Sequence, residues 1–253
     1  MAQIIAFSNQ KGGVGKTTSC INIAAGIALQ GKKVLILDYD PQGNAGSGVG
    51  VDKRTVKTTI YDVIARKVPA KDALIRTKHE NLWVIPSKVD LAAAEIELGG
   101  GFSAESNPLL ALNEIRDDFD YILIDCPPSL GFLTISALSI SDGVVIPLQC
   151  EFYALEGLSQ LLPTIKKIRQ LYNPGLKVVG ILPTMYTGRF TLTRQVIDEI
   201  KKYYPNKLFK TPISRSVRLS AAPGYGMPIQ YLEPKGKCAE EYNLAAKELM
   251  SRI

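Results

Sequence analysis

The residues Lys11-Gly12-Gly13-Val14-Gly15-Lys16-Thr17-Thr18 have the types and spacing to hold a phosphate group. Glycines let a backbone curl until successive N–H groups point at one anion, and a helix opening at the end of the loop adds its positive dipole end. Lys16 is placed to reach the β- and γ-phosphates of a nucleotide, and the Thr17 hydroxyl to sit on Mg²⁺. A glycine-rich turn that binds nothing is the competing reading. The flanks oppose it: residues 4–7 read as a buried parallel strand, and residues 17–30 as a helix rich in Ile and Ala. Lys11 is surplus. Lys16 already serves one nucleotide, so a second lysine at the mouth of the loop points to a phosphate somewhere else.

Carboxylates supply the other half of the chemistry. Asp38 and Asp40 close the apolar run 34–37, and Asp125 closes the run 121–124. A carboxylate at the end of a buried strand can hold Mg²⁺ directly or through a water. A single such aspartate is often just a loop cap; three beside a phosphate loop argue for the metal. The one histidine, His79, lies in a polar segment far from these motifs. The cysteines Cys20, Cys126, Cys150 and Cys238 lack metal-ligand spacing. Histidine acid/base chemistry and metal cages are therefore not expected, and scattered free thiols fit a reducing, cytoplasmic setting.

These side chains need a frame. Apolar runs at 4–7, 34–37, 82–85, 121–124, 144–147 and 178–182 read as strands, with a short late one at 229–232. Helical patterns cover 17–30, 58–66, 89–97, 108–117, 132–139, 155–172, 191–203 and 238–252. Such alternation predicts an α/β fold in three layers, a mostly parallel central sheet with helices on both faces. Ligands of these sheets bind beyond the carboxyl ends of the strands, where the polar motifs fall. The 253 residues, 46% hydrophobic and 21% charged, fit one α/β domain spanning 1–253. The glycine-rich stretch 99–108 reads as a flexible loop. No run approaches the roughly 18 apolar residues of a membrane span, and no signal peptide precedes the first strand.

Charge is unevenly spread. Residues 1–150 hold 14 Lys/Arg against 16 Asp/Glu, whereas residues 151–253 hold 16 against 8. A solvated surface would explain an excess of this kind; an electrostatic footprint for a polyanion explains it equally. The phosphate loop does not, because its lysines lie in the other half.

The loop, together with Asp38-Tyr39-Asp40-Pro41-Gln42-Gly43-Asn44 and Asp125-Cys126-Pro127-Pro128-Ser129-Leu130, resembles the ParA/MinD class of P-loop ATPases with a deviant phosphate loop. Likeness continues through residues 147–157, through Arg215-Ser216-Val217-Arg218-Leu219-Ser220 and into Glu240-Glu241-Tyr242. These later segments point to short chromosomal ParA proteins of the Soj type, over essentially the whole chain. The resemblance implies a P-loop NTPase fold that uses ATP/ADP and Mg²⁺. It implies an ATP-bound sandwich homodimer, with Lys11 of each subunit contacting the nucleotide of the other. Residues 11–18 would bind nucleotide, Thr17, Asp40 and Asp125 would serve the metal, and Lys11, Lys16, Asp40 and Asp125 would act in hydrolysis, Asp40 by orienting the attacking water. Met185, Pro183 and Pro212 would pack on the adenine. The dimer would bind double-stranded DNA without sequence preference through Arg189 and Arg218, and a ParB-type centromere-binding partner would stimulate a slow hydrolysis that releases it. Localisation would be cytoplasmic and nucleoid-associated, and the resemblance extends to relatives that also regulate replication initiation.

Lys201, Lys202, Lys207, Lys210, Lys235, Lys237 and Arg252 are further cations for DNA on charge alone. Two departures stand out: Ser214-Arg215-Ser216 replaces the usual Pro-Arg-Asn near the base, and Ser220-Ala221-Ala222 replaces Ser-Glu-Ala. The N-terminal DNA-binding extension of longer plasmid ParA proteins is missing, so operator-specific binding is not expected. The alternative reading is a MinD-like membrane-associated ATPase, anchored by an apolar, basic C-terminal helix. The glutamates in 238–253 oppose anionic lipid, and the apolar face there reads as core.

Overall fold

The structure, a computed structural model, describes residues 1–100, 103, 104, 106–151, 154–188 and 191–253, without the side chain of residue 192. Strands are β1 (Gln3–Phe7), β2 (Val34–Asp38), β3 (Ile75–Arg76), β4 (Leu82–Ile85), β5 (Tyr121–Asp125), β6 (Gly143–Gln149) and β7 (Lys177–Thr184). Helices are α1 (Lys16–Ala28), α2 (Asn44–Gly48), α3 (Ile60–Ile64), α4 (Ala93–Glu97), α5 (Phe132–Ile140), α6 (Ala154–Leu171), α7 (Thr191–Tyr203), α8 (Val217–Ala221), α9 (Ile229–Leu232) and α10 (Lys237–Arg252). The strands form one sheet in the order β3-β4-β2-β5-β1-β6-β7, parallel throughout except for the β3–β4 pair.

Strand alternation explains the layers. Ile4, Ala6, Leu35, Leu37, Ile122, Ile124, Val144 and Ile146 point into one apolar cluster with α5 and α6. Ile5, Phe7, Val34, Ile36, Leu123 and Val145 point into the other, with α1 and α10. A period of two sends neighbours to opposite faces, so runs that are apolar at every position need cover on both. Helix α10 lies on α1 so closely that a Cβ at Gly26 would come 2.8 Å from that of Ala246.

Two expectations are corrected. Residues 229–232 form a helical turn, not a strand: Pro228 starts it, and the Asn22 side chain of α1 accepts the Ile229 N–H at 2.7 Å. Residues 108–117 form two 3₁₀ pieces, Pro108–Glu114 and Arg116–Asp118, because Pro108 opens the segment and Asn107 caps it. In the polar segment, His79 itself is buried, stacked on Tyr231 with ring centroids 4.1 Å apart. The glycine-rich stretch falls partly outside the described residues, at 101, 102 and 105.

Candidate nucleotide-binding site

Strand β1 lies between β5 and β6, where the chain turns from one half of the sheet to the other, and the phosphate loop leaves its carboxyl end. Such a switch point opens a crevice between diverging connections. Gly13 (φ +73°) and Gly15 (φ +83°) adopt left-handed backbone that a side chain would resist, and Gly12 and Gly13 face open space. Gly15 begins α1 with no side chain capping it, so the first-turn N–H groups are left for a ligand. The loop is braced from outside. Asn9 Nδ2 donates to Pro147 O at 2.7 Å, Asn9 Oδ1 accepts the Lys11 N–H at 3.0 Å, and Thr184 Oγ1 donates to Val14 O at 2.8 Å.

Lys16 is buried, and its ammonium donates to Lys11 O at 3.1 Å, folded over the loop. Burial lowers its pKa, opposed by Asp125, Cys126 and Asp40 nearby. Lys11 behaves differently. Its Nζ turns to Glu151 Oε2 at 3.1 Å in a half-exposed ion pair, away from the cradle that Lys16 occupies.

The carboxylates come from neighbouring strand ends, Asp38 opposite Asp125 in the β2–β5 register. Asp38 Oδ2 accepts the Gly46 N–H at 2.8 Å, while its Oδ1 and both oxygens of Asp125 are buried without a hydrogen-bond partner. Burial pushes the Asp38 carboxyl up to about 7, the Gly46 bond pulling the other way and Asp40 adding to the rise. Asp125 is driven well above the usual carboxylate range by burial and by Asp38, against the opposing Thr17 hydroxyl. Buried oxygens with no partner are costly, and a hard cation or its water shell would relieve them. Among the described residues no cluster of three protein ligands forms a cage. A Mg²⁺ here would therefore take Thr17, phosphate oxygens and waters as its main ligands, with Asp125 behind them; this donor set suits a metal that keeps much of its hydration. Asp40 is buried at the start of the loop 40–44, its Oδ1 accepting the Gln42 N–H at 2.9 Å. Lys53 holds the same loop by donating to Gln42 O and to Asn44 Oδ1.

Next to the cradle is a cavity of about 190 Å³ lined by Gly15, Thr18, Met185, Ile213, Ser214 and Tyr242, among others. Met185 has left-handed backbone (φ +49°), a strained conformation for a side-chain-bearing residue at the end of β7. Pro212 and Pro183 are not in this cavity. They line a neighbouring one, although the backbone of 213–215 is bonded to that of 183–186. Ser214 falls where the resemblance put a segment near the base, whereas Thr184 and Tyr242 were given no site role by sequence; they come from distant elements and carry no local motif.

Arg218 stands exposed on α8, whose first residue follows the capping Ser216. Arg189 lies outside the described residues. Arg252 leaves the set of cations for a polyanion, whereas Lys207 stays exposed. Arg252 is spent on Glu248, Val179 O and Leu208 O, and Lys207 donates to Val178 O at 2.8 Å.

A family model described as an AAA domain matches residues 2–178. The chain is 51% identical over 249 residues to sporulation initiation inhibitor protein Soj of Bacillus subtilis, covering 98% of both chains. It is 44% identical over 252 residues to the chromosome-partitioning ATPase Soj of Treponema pallidum, covering 100% of this chain and 98% of that one. A solved structure of cobyrinic acid a,c-diamide synthase from Mycobacterium smegmatis, with bound ADP and magnesium, superposes with a TM-score of 0.86 at 36% identity, over 99% of this chain and 94% of the other. With a phosphate cradle, paired strand-end aspartates and full-length likeness at this level, the chain belongs to the Soj/ParA class of P-loop ATPases.

Proposed function

We propose that this protein is a partitioning ATPase that uses ATP and Mg²⁺, and whose ATP-bound homodimer associates with double-stranded DNA without sequence preference. The observation that carries the reading is the division between two lysines of one loop. Lys16 is folded over the cradle, whereas Lys11 projects to the surface and pairs with Glu151. A lysine that reaches phosphate only across an interface makes dimer stability depend on nucleotide. Lys16 and the loop N–H groups hold the phosphates, Thr17 the Mg²⁺, and Met185 packs on the base. Asp40 orients the attacking water and Asp125 serves the metal shell. Phosphoryl transfer needs mainly positioning and charge neutralisation, so these few groups suffice for slow hydrolysis, which a ParB-type partner accelerates.

Dimerisation doubles the cations on one surface. Affinity falls with salt at about −0.9 per neutralised phosphate on a logarithmic plot, so doubling the neutralised phosphates raises affinity steeply at fixed salt. Arg218, with Arg189, carries this interaction. The membrane alternative is opposed by the packing of α10. Its Cys238, Ala239, Tyr242, Ala245, Ala246 and Leu249 are buried in the core it shares with α1, so its apolar face is already taken. Among the described residues no helix is long and apolar enough to cross a membrane.

The test is retention on duplex DNA with ADP, ATP and a slowly hydrolysed ATP analogue across a salt series. Retention specific to ATP and analogue, salt-sensitive and blind to sequence, is the expected result. Binding to liposomes without binding to DNA would overturn it.

A further inference from the structure

Ser214 is held by a carboxylate from the far end of the chain. Glu241, on α10, is buried, and it accepts the Ser214 N–H at Oε2 (2.8 Å) and the Ser214 hydroxyl at Oε1 (2.6 Å). Lys237, one turn earlier on α10, sits 3.6 Å from Oε1. The Cys238 thiol donates to Ser214 O at 3.7 Å. A buried carboxylate is costly unless donors satisfy it, and hydrogen bonds to a charged group are roughly twice as strong as neutral ones. The interaction is therefore an anchor for the segment 213–216. On its other side that segment is joined to the end of β7, through Tyr186 N–H to Ile213 O (2.8 Å) and Arg215 N–H to Tyr186 O (3.4 Å). Between the two anchors, Ile213, Ser214 and Ser216 line a cavity together with Gly15 and Thr18 of the phosphate loop.

The same helix also holds the start of α1, which follows the phosphate loop. Tyr242, the residue after Glu241, has its hydroxyl 3.3 Å from Ser19 Oγ on α1. Consecutive residues of α10 thus tie together the segment 213–216 and the first turns of α1, both of which contribute residues to the cavity. A proline at position 214 would have neither the N–H nor the hydroxyl, so both hydrogen bonds to Glu241 depend on the residue that stands there.

We propose that Glu241 is a positioning residue for nucleotide binding: through Ser214 it sets the wall against which the base packs, and so the part of the affinity due to the base. This rests on the assignment of the cavity to the base of ATP. Binding constants for Mg-ATP and for Mg-tripolyphosphate, which offers the phosphates without a base, separate the two statements. Wild-type protein is expected to bind ATP more tightly than tripolyphosphate. Glu241→Ala is expected to weaken ATP binding about tenfold, equivalent to about 1.4 kcal/mol, while leaving tripolyphosphate binding unchanged. Glu241→Gln, which keeps one acceptor oxygen, should fall between. Ser214→Ala, on a partly exposed segment, keeps the backbone bond, and it is expected to lose about threefold on ATP alone even if Glu241→Ala fails to fold. ATP affinity unchanged in Ser214→Ala and in the folded Glu241 variants, or ATP and tripolyphosphate weakened alike, overturns the role of Glu241. Equal wild-type affinity for the two ligands instead overturns the base assignment beneath it.

Discussion

Asp38, Asp40 and Asp125 lie close together, yet their surroundings divide the work. Asp40 is tied to its own loop by the Gln42 N–H, while Asp38 and Asp125 face each other with unpartnered oxygens. Asp40→Ala is expected to keep ATP binding, lower phosphate release by about 10²-fold and leave the ATP-bound dimer intact on size exclusion; rapid turnover by that variant would remove Asp40 from the water-orienting role. Asp38 gives a pH prediction. Its carboxyl titrates near 7 in the fold against an ordinary 3.8, so its contribution to stability is complete below about 3.8 and is lost as pH rises through 7. Asp38→Asn should therefore stabilise the nucleotide-free protein at pH 8 by about 1–3 kcal/mol, with the difference shrinking toward pH 5. Thermal unfolding at the two pH values checks the sign, and a stabilisation independent of pH would place the cause elsewhere.

At the scale of elements, the packing of α1 on α10 matters most for the site. Helix α1 carries Lys16 and Thr17, and α10 carries Glu241 and Tyr242, so the glycine that lets them approach has a functional reach. Gly26→Val is expected to cost about 1–3 kcal/mol through overpacking against Ala246. The thermal midpoint should fall, and a rise would show that the helices can part without penalty. The strands 4–7, 34–37, 121–124 and 144–147 were legible in sequence, because strands buried on both faces are apolar at every position. The short run 229–232, with Gln230 among its apolar residues, also read as a strand and became helix, since so short a segment does not distinguish the two; Pro228 and the Asn22 side chain decided it. Strand β3, two residues long, had no periodicity to read.

At the scale of the whole molecule, only part of the charge in the basic second half is left free for the proposed polyanion. Arg252 is bonded within the fold, whereas Arg218 stands exposed on α8 beside a segment, 214–227, that carries no acidic residue. Arg218→Ala is expected to leave ATP-dependent dimerisation intact and to weaken retention on DNA, lowering the salt slope by about 0.9 for each phosphate that is no longer neutralised. Unchanged retention would move the DNA surface away from α8.

The sequence by itself determined the phosphate cradle, the strand-end aspartates, the parallel α/β frame and the surplus of Lys11, because each is encoded by neighbours in the chain. Loop glycines, strand periodicity and a carboxylate after an apolar run act over a few residues. Tertiary structure alone decided that Lys11 pairs with Glu151, that Pro212 belongs to a different cavity from Met185, and that Glu241 holds Ser214. Those pairings join residues 27 to 140 positions apart, and their partners are fixed by the order of strands and the packing of α10, which no local pattern records.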